Sequence, residues 1–178
     1  MSDIDTQTRI TLKKLKVAEF ASEETLCFSA QVLFDGNKVA LARNDGRGGC
    51  TFIDPMPGTG PALAEAERYA KTLPPVTSSY STGKGQKTFT IKVDLEYVVD
   101  HLANDMHLRA AFQRDFRNKV MFVKEGKLLY LQGVRLRNVA DRTRLFADVR
   151  KREGAELVLS ELGEEEAFRL WKKHSVKS

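Results

Sequence analysis

The stretch TLCFSAQVLFDGNKVALARN, residues 25–44, decides the fold class. Leu26, Phe28, Ala30 and Val32 recur at period two, Asp35-Gly36-Asn37 supplies a tight turn, and Val39 and Leu41 continue a return strand. Period two sends alternate side chains to opposite faces of a sheet, and Asp-Gly tolerates the positive φ that a tight hairpin turn demands. The stretch predicts an antiparallel hairpin.

Upstream, residues 9–20 alternate imperfectly through Ile10, Leu12, Leu15 and Val17 and read as a first strand. Downstream, Asn44-Asp45-Gly46-Arg47-Gly48-Gly49 forms a glycine-rich loop, and Cys50-Thr51-Phe52-Ile53 reads as a further short strand. A helix follows over 61–73, with Leu63, Ala66, Ala70 and Leu73 on one face, Thr59 placed to cap it and Pro74-Pro75 ending it. Residues 76–87, VTSSYSTGKGQK, have no periodicity and predict an exposed, mobile loop; its Gly83-Lys84-Gly85 lacks the spacing of a phosphate-binding loop. Residues 88–93 read as a short strand.

Asp94 then caps a helix carrying Leu95, Val98, Val99, Leu102 and Met106, and a second helical stretch carries Leu108, Ala111, Phe112 and Phe116. Residues 119–134 predict another hairpin, turning at Lys124-Glu125-Gly126-Lys127. A basic helix over 139–152 turns Leu145, Phe146 and Val149 inward and stops at Gly154; Leu157-Val158-Leu159 is a short buried segment. The last helix, 164–174, opens on three glutamates and closes on Lys172, Lys173 and His174, which suits the helix dipole at both ends. The expected fold is α+β: an antiparallel β-rich N-terminal half with one helix, then a helix-rich C-terminal half with a second hairpin. It reads as a single domain over 1–178, divisible at most into 1–75 and 88–178 about the 76–87 loop.

With 178 residues, 42% hydrophobic and 30% charged, the chain has the composition of a globular protein. No apolar run reaches the roughly 18 residues a membrane helix needs, so no membrane partner is expected. The N-terminus lacks the apolar core of a signal peptide, and Cys27 and Cys50 stand outside any C-x-x-C pair. Free thiols and a cytoplasmic location are the expectation. Charge is unevenly placed. Residues 109–152 hold thirteen Lys and Arg against Asp115, Glu125, Asp141 and Asp148, and residues 153–166 are acidic. A segment this basic suits a polyanion or an acidic protein face, or else is a solvated helix surface.

The 44–49 loop is the first candidate site. Its glycines could converge backbone N–H groups on an anion, with Arg43 and Arg47 adding charge; the plainer reading is that Gly46, Gly48 and Gly49 serve a turn. Asn44 and Asp45 complete that set. Arg135, Arg137, Arg142 and Arg144 form the second candidate, an electrostatic surface whose interleaved aromatics (Phe112, Phe116, Phe122, Tyr130, Phe146) sit at inward spacings and read as core. His101, His107 and His174 complete no metal set, and no metal or other cofactor is expected. Cys50 is the one formal nucleophile and reads instead as a small core residue; no catalytic residue stands out, and an enzyme is the minority reading.

The order strand–hairpin–strand–helix over 26–73 is similar to part of a double-stranded RNA-binding domain, although Pro61-Ala62-Leu63-Ala64 stands where such a domain carries lysines. More closely, Glu23-Glu24-Thr25, Phe28, Ala30, Asp35-Gly36 and Asn44 to Gly49 resemble the N-terminal hairpin of small proteins that recur in phages, prophages and plasmids, over about residues 10–72. That resemblance implies a mobile-element accessory protein without an assigned activity. The expectation is therefore a non-enzymatic protein that binds a macromolecular partner and inhibits a host nucleic-acid-targeting defence complex. A direct DNA- or RNA-binding module is the first alternative, and an enzyme acting on nucleotides or nucleic acid the second.

Overall fold

In the computed structural model, which describes residues 3–82 and 85–175, the expected hairpin forms from β2 (Phe28–Phe34) and β3 (Asn37–Asn44). Phe34 pairs with Asn37, so the turn is the two residues Asp35 (φ 48°) and Gly36 (φ 80°). Positive φ at both positions matches the right-handed twist of the flanking strands. The second hairpin repeats this chemistry: β7 (Lys119–Lys124) and β8 (Lys127–Arg135) are joined by Glu125 (φ 50°) and Gly126 (φ 69°).

The fold is α+β, and the chain divides into two compact units, Met1–Met106 and His107–Ser178. In the first, a short helix α1 (Asp3–Thr6) precedes β1 (Ile10–Val17), and β1, β2, β3 and β4 (Phe52–Pro55) make an antiparallel sheet in that order. Helix α2 (Gly60–Ala70) places Leu63, Ala66 and Ala70 in one core with Val32, Phe34, Ala40 and Ala42. Thr59 caps α2 only through its backbone carbonyl; its hydroxyl donates to Val39 O at 2.5 Å, tying the helix start to the sheet. Arg9 spans the turn end of the sheet. It pairs with Asp35 at 2.6 Å and lies over the Phe34 and Tyr69 rings, and its hydrogen bonds, helped by its charge, hold the Asp35 carboxyl below its usual range.

Two sequence expectations change here. The 76–87 stretch is not a loop: β5 (Val76–Thr82) and β6 (Gly85–Ile91) form their own two-stranded sheet, and only residues 83 and 84 of the Gly83-Lys84-Gly85 reading fall outside the described residues. The hairpin is largely exposed on both faces, so it has no hydrophobic alternation to reveal it. Its one apolar feature is the cross-strand pair Tyr80 and Phe89, centroids 6.0 Å apart. The two helical stretches beyond it are one helix, α3 (Leu95–Asn118), which Asp94 caps by accepting from Tyr97 N at 2.8 Å. No Gly or Pro interrupts it. The boundary between the units therefore falls inside α3, because Leu95, Val98, Val99 and Ala103 belong to the first core and Phe112 to the second.

In the second unit β7 is the central strand, between β8 and the short β9 (Leu157–Val158). Its alternate side chains feed two cores. Met121 and Val123 join Phe112 with Phe168 and Trp171 of α5 (Glu164–Ser175), while Val120 and Phe122 join Phe146 and Val149 of α4 (Arg142–Glu153). The Phe112 ring lies 4.9 Å from Phe116, 5.4 Å from Phe168 and 5.8 Å from Trp171, as expected for tilted and offset aromatic packing. Helix α4 begins three residues later than expected, since Leu136–Asn138 is a turn of 3-10 helix and Asp141 supplies the N-cap, accepting from Arg144 N. Gly154, at φ 69°, ends it in the left-handed conformation.

Candidate functional site

The 44–49 loop is built around a carbonyl. Gly46 O accepts from the backbone N–H groups of Glu23, Glu24 and Thr25 at 3.0, 2.9 and 3.3 Å. Gly46 N and the Thr25 hydroxyl in turn donate to Asn44 Oδ1 at 2.8 and 2.9 Å, and Asn44 Nδ2 donates to Gly49 O and to the Thr51 hydroxyl. Asn44 is 4% exposed, so its four bonds fill the capacity of a buried carboxamide. As a sequence-based candidate for partner contact, Asn44 is corrected: it faces inward and holds the loop closed.

The glycines serve the turn as well. Gly46 (φ 83°) has no room for a side chain, since a Cβ would sit 2.1 Å from Ala21 O, and Gly48 (φ 78°) would meet the Glu24 carboxylate. Of the N–H groups expected to converge on an anion, that of Gly46 donates to Asn44 Oδ1 and that of Gly48 to the Thr25 hydroxyl, so both are engaged within the chain. Asp45 and Arg47 remain exposed on the loop. Arg43 is engaged on the sheet surface, 3.6 Å from Asp54 and over the Phe52 ring at 4.9 Å. Cys50 is exposed on the loop and is not a core residue, and both cysteines are free thiols.

Beside the loop lies a cleft of about 410 Å³, lined in part by Glu23, Glu24, Thr25, Asn44, Asp100 and Asn104. Asp100 reaches it from α3 and accepts from the Thr51 hydroxyl at 2.5 Å. Glu96, one turn earlier, accepts from Thr51 N at 2.8 Å. Burial raises the Asp100 pKa above its usual range; the Thr51 bond opposes this, and the nearby Glu96 and Asp94 charges add to it. With three carboxyl groups on its wall, this cleft repels phosphate. Sequence reasoning missed the network, because Asp100 lies 49 residues beyond Thr51 and none of the three stands in a recognisable spacing.

The second unit carries the opposite polarity. Tyr130 pairs with Met121 and Arg135 with Lys119, so one residue of β7 faces four of β8, residues 131–134. The resulting bulge contains Gly133 at φ 74° and lies on the outer strand of its sheet, where among the described residues no further strand pairs with it. It frames a cavity of about 620 Å³ whose wall includes Asn118, Lys119, Tyr130, Gln132, Arg135 and Arg137, and none of the described lining residues is acidic. Tyr130, expected in the core, is 56% exposed, with the Lys119 ammonium 5.2 Å from its ring centroid. Its pairing with Met121 is regular, and its neighbour Leu129 on the other face is exposed as well, so it is the outer position of β8 and not a break in alternation that leaves Tyr130 outside.

Arg135, Arg137, Arg142 and Arg144 are all exposed, and among the described residues no carboxylate pairs with them. Their neighbours are different. Arg150 bonds to Glu161, Arg109 meets Glu165 at 2.7 Å, and Lys119 meets Asp115 at 2.9 Å. Within the acidic 153–166 stretch, Glu161 and Glu165 are thus met by other arginines. Arg135 and Arg137 belong to the cavity wall; Arg142 and Arg144 stand in the first turn of α4. Among the described residues no three His, Cys, Asp or Glu side chains converge as a metal set, and no helix is long and apolar enough to cross a membrane. No protein-family model, no curated protein and no solved structure matches the chain.

Proposed function

We propose that this chain is a non-enzymatic binding protein whose second unit docks on an anionic macromolecule. One observation carries the reading: four arginines within ten residues, Arg135, Arg137, Arg142 and Arg144, are exposed and, among the described residues, meet no carboxylate, whereas Arg109, Lys119 and Arg150 of the same unit do. Two of the four also break a local rule. Arg142 and Arg144 sit at the positive end of the α4 dipole, where a cation costs about 0.3–1 kcal/mol and a carboxylate would be favoured. Residues that oppose local stability in this way are characteristic of functional surfaces. The mobile-element accessory role implied by the hairpin resemblance fits such a surface, and interference with a host nucleic-acid-targeting complex is the action it would serve.

The test is binding of the full chain to single-stranded DNA, duplex DNA and polyglutamate as salt is raised. Docking through arginines releases counterions, so log affinity for the preferred polyanion should fall linearly with log salt. Absence of binding to all three at low salt overturns the proposal.

A further inference from the structure

We infer that the cavity beneath the β8 bulge takes a single-stranded nucleic acid, one base stacked on Tyr130 and the adjoining phosphates met by Arg135 and Arg137. This rests on the anionic-partner reading and names the partner's class. An acidic protein face needs cations alone, and the four free arginines would satisfy it. The cavity offers more: an exposed phenol ring, two guanidinium forks, an ammonium and the carboxamides of Asn118 and Gln132, with no described acidic residue on the wall. A planar apolar face beside cations complements a nucleotide, whose base wants stacking and whose phosphate wants charge.

The ring is held ready. Lys119 is fixed by Asp115 at 2.9 Å and stands 5.2 Å from the Tyr130 centroid, so a cation covers part of the ring while more than half of the residue stays open. A concave site at a strand bulge favours an unstacked base over a duplex, whose bases are already occupied by stacking and pairing. The acidic cleft of the first unit, with Glu23, Glu24 and Asp100 on its wall, would repel the same ligand.

Fluorescence anisotropy of the full chain with a labelled oligothymidine, the matching duplex and polyglutamate tests the inference, using Tyr130→Leu, Tyr130→Phe and the double variant Arg135→Ala/Arg137→Ala. Tyr130 is exposed, so both single variants should fold, as circular dichroism will show. Expected are preference for the single strand, about tenfold weaker binding by Tyr130→Leu with an unchanged salt slope, near-normal binding by Tyr130→Phe, and a shallower slope for the arginine variant. Normal binding by Tyr130→Leu beside a loss in the arginine variant overturns the stacking and leaves the anionic-partner reading standing. So does a preference for duplex or for polyglutamate. Failure of all three probes at low salt overturns both.

Discussion

The Asn44 carboxamide donates to the Thr51 hydroxyl at 2.8 Å, and that hydroxyl donates onward to Asp100 at 2.5 Å. The end of β3, the loop that follows it and α3 are thereby joined by one directed chain of hydrogen bonds, with Thr25 feeding it from the other side. Every donor in the chain has an acceptor, and low local dielectric makes such a network strong when complete and costly when broken.

Asn44→Ala should therefore be among the most damaging substitutions in the first unit. It strands the Thr25 hydroxyl, Gly46 N and Gly49 O, and a buried unsatisfied group costs about 1–3 kcal/mol. Urea unfolding followed by circular dichroism should show a loss of about 2–4 kcal/mol. A loss below about 0.5 kcal/mol, the ordinary cost of a surface change, would return Asn44 to the class of exposed contact residues.

Gly46 and Gly48 separate backbone strain from collision. Both have positive φ, which costs an L-residue about 1–2 kcal/mol. Gly48→Ala adds a clash with only the end of the flexible Glu24 side chain, so its cost should stay near that range. In Gly46→Ala the new methyl meets Ala21 O at 2.1 Å and Cys27 Cβ at 2.8 Å, and the backbone cannot retreat without releasing Gly46 O from its three donors. Melting temperatures should fall more for Gly46→Ala than for Gly48→Ala; the reverse order would mean that the wrapped carbonyl is dispensable.

Asp100 gives the pH dependence a sign. Its pKa is raised in the folded chain, so the native state holds a proton more tightly than the unfolded one. Its contribution to stability is best below the ordinary value of 3.8 and is lost as pH rises through the raised value. Asp100→Asn keeps an oxygen to accept from Thr51 and removes a partly buried charge beside Glu96 and Asp94. The variant should be more stable than the parent near pH 7, and the gap should close as pH falls toward about 4. A variant less stable than the parent at every pH would show that Thr51 depends on the charge itself.

Both hairpins were legible because Asp35-Gly36 and Glu125-Gly126 stand between apolar strands, where turn chemistry and periodicity agree. The β5–β6 hairpin was not, since its residues face solvent on both sides and carry no periodic signal. Of the candidate site, the four arginines were legible as charge, and Asp45 and Arg47 as loop residues. Asn44 was misplaced on the surface because a carboxamide's burial depends on partners brought in from Thr25 and Thr51. Tyr130 was misplaced in the core because alternation does not reveal that β8 is an outer strand, exposed at Leu129 and Tyr130 alike.

Reversing Arg142 and Arg144 to glutamate separates their two readings. Were these arginines structural, they would pair with the acidic 153–166 stretch, but Glu161 is held by Arg150, Glu165 by Arg109, and Glu164 accepts from Gln113. Nothing among the described residues is lost by the exchange. Two carboxylates in the first turn of α4 would instead sit with the helix dipole, each worth about 0.3–1 kcal/mol. The double variant should melt at the parent's temperature or slightly above it. Its association with a polyanion should nonetheless collapse, because like charges brought together across an interface cost several kcal/mol. Melting and anisotropy on the same protein decide the matter: a destabilised variant would reveal a structural role, and a stable variant that still binds would remove these two arginines from the docking surface.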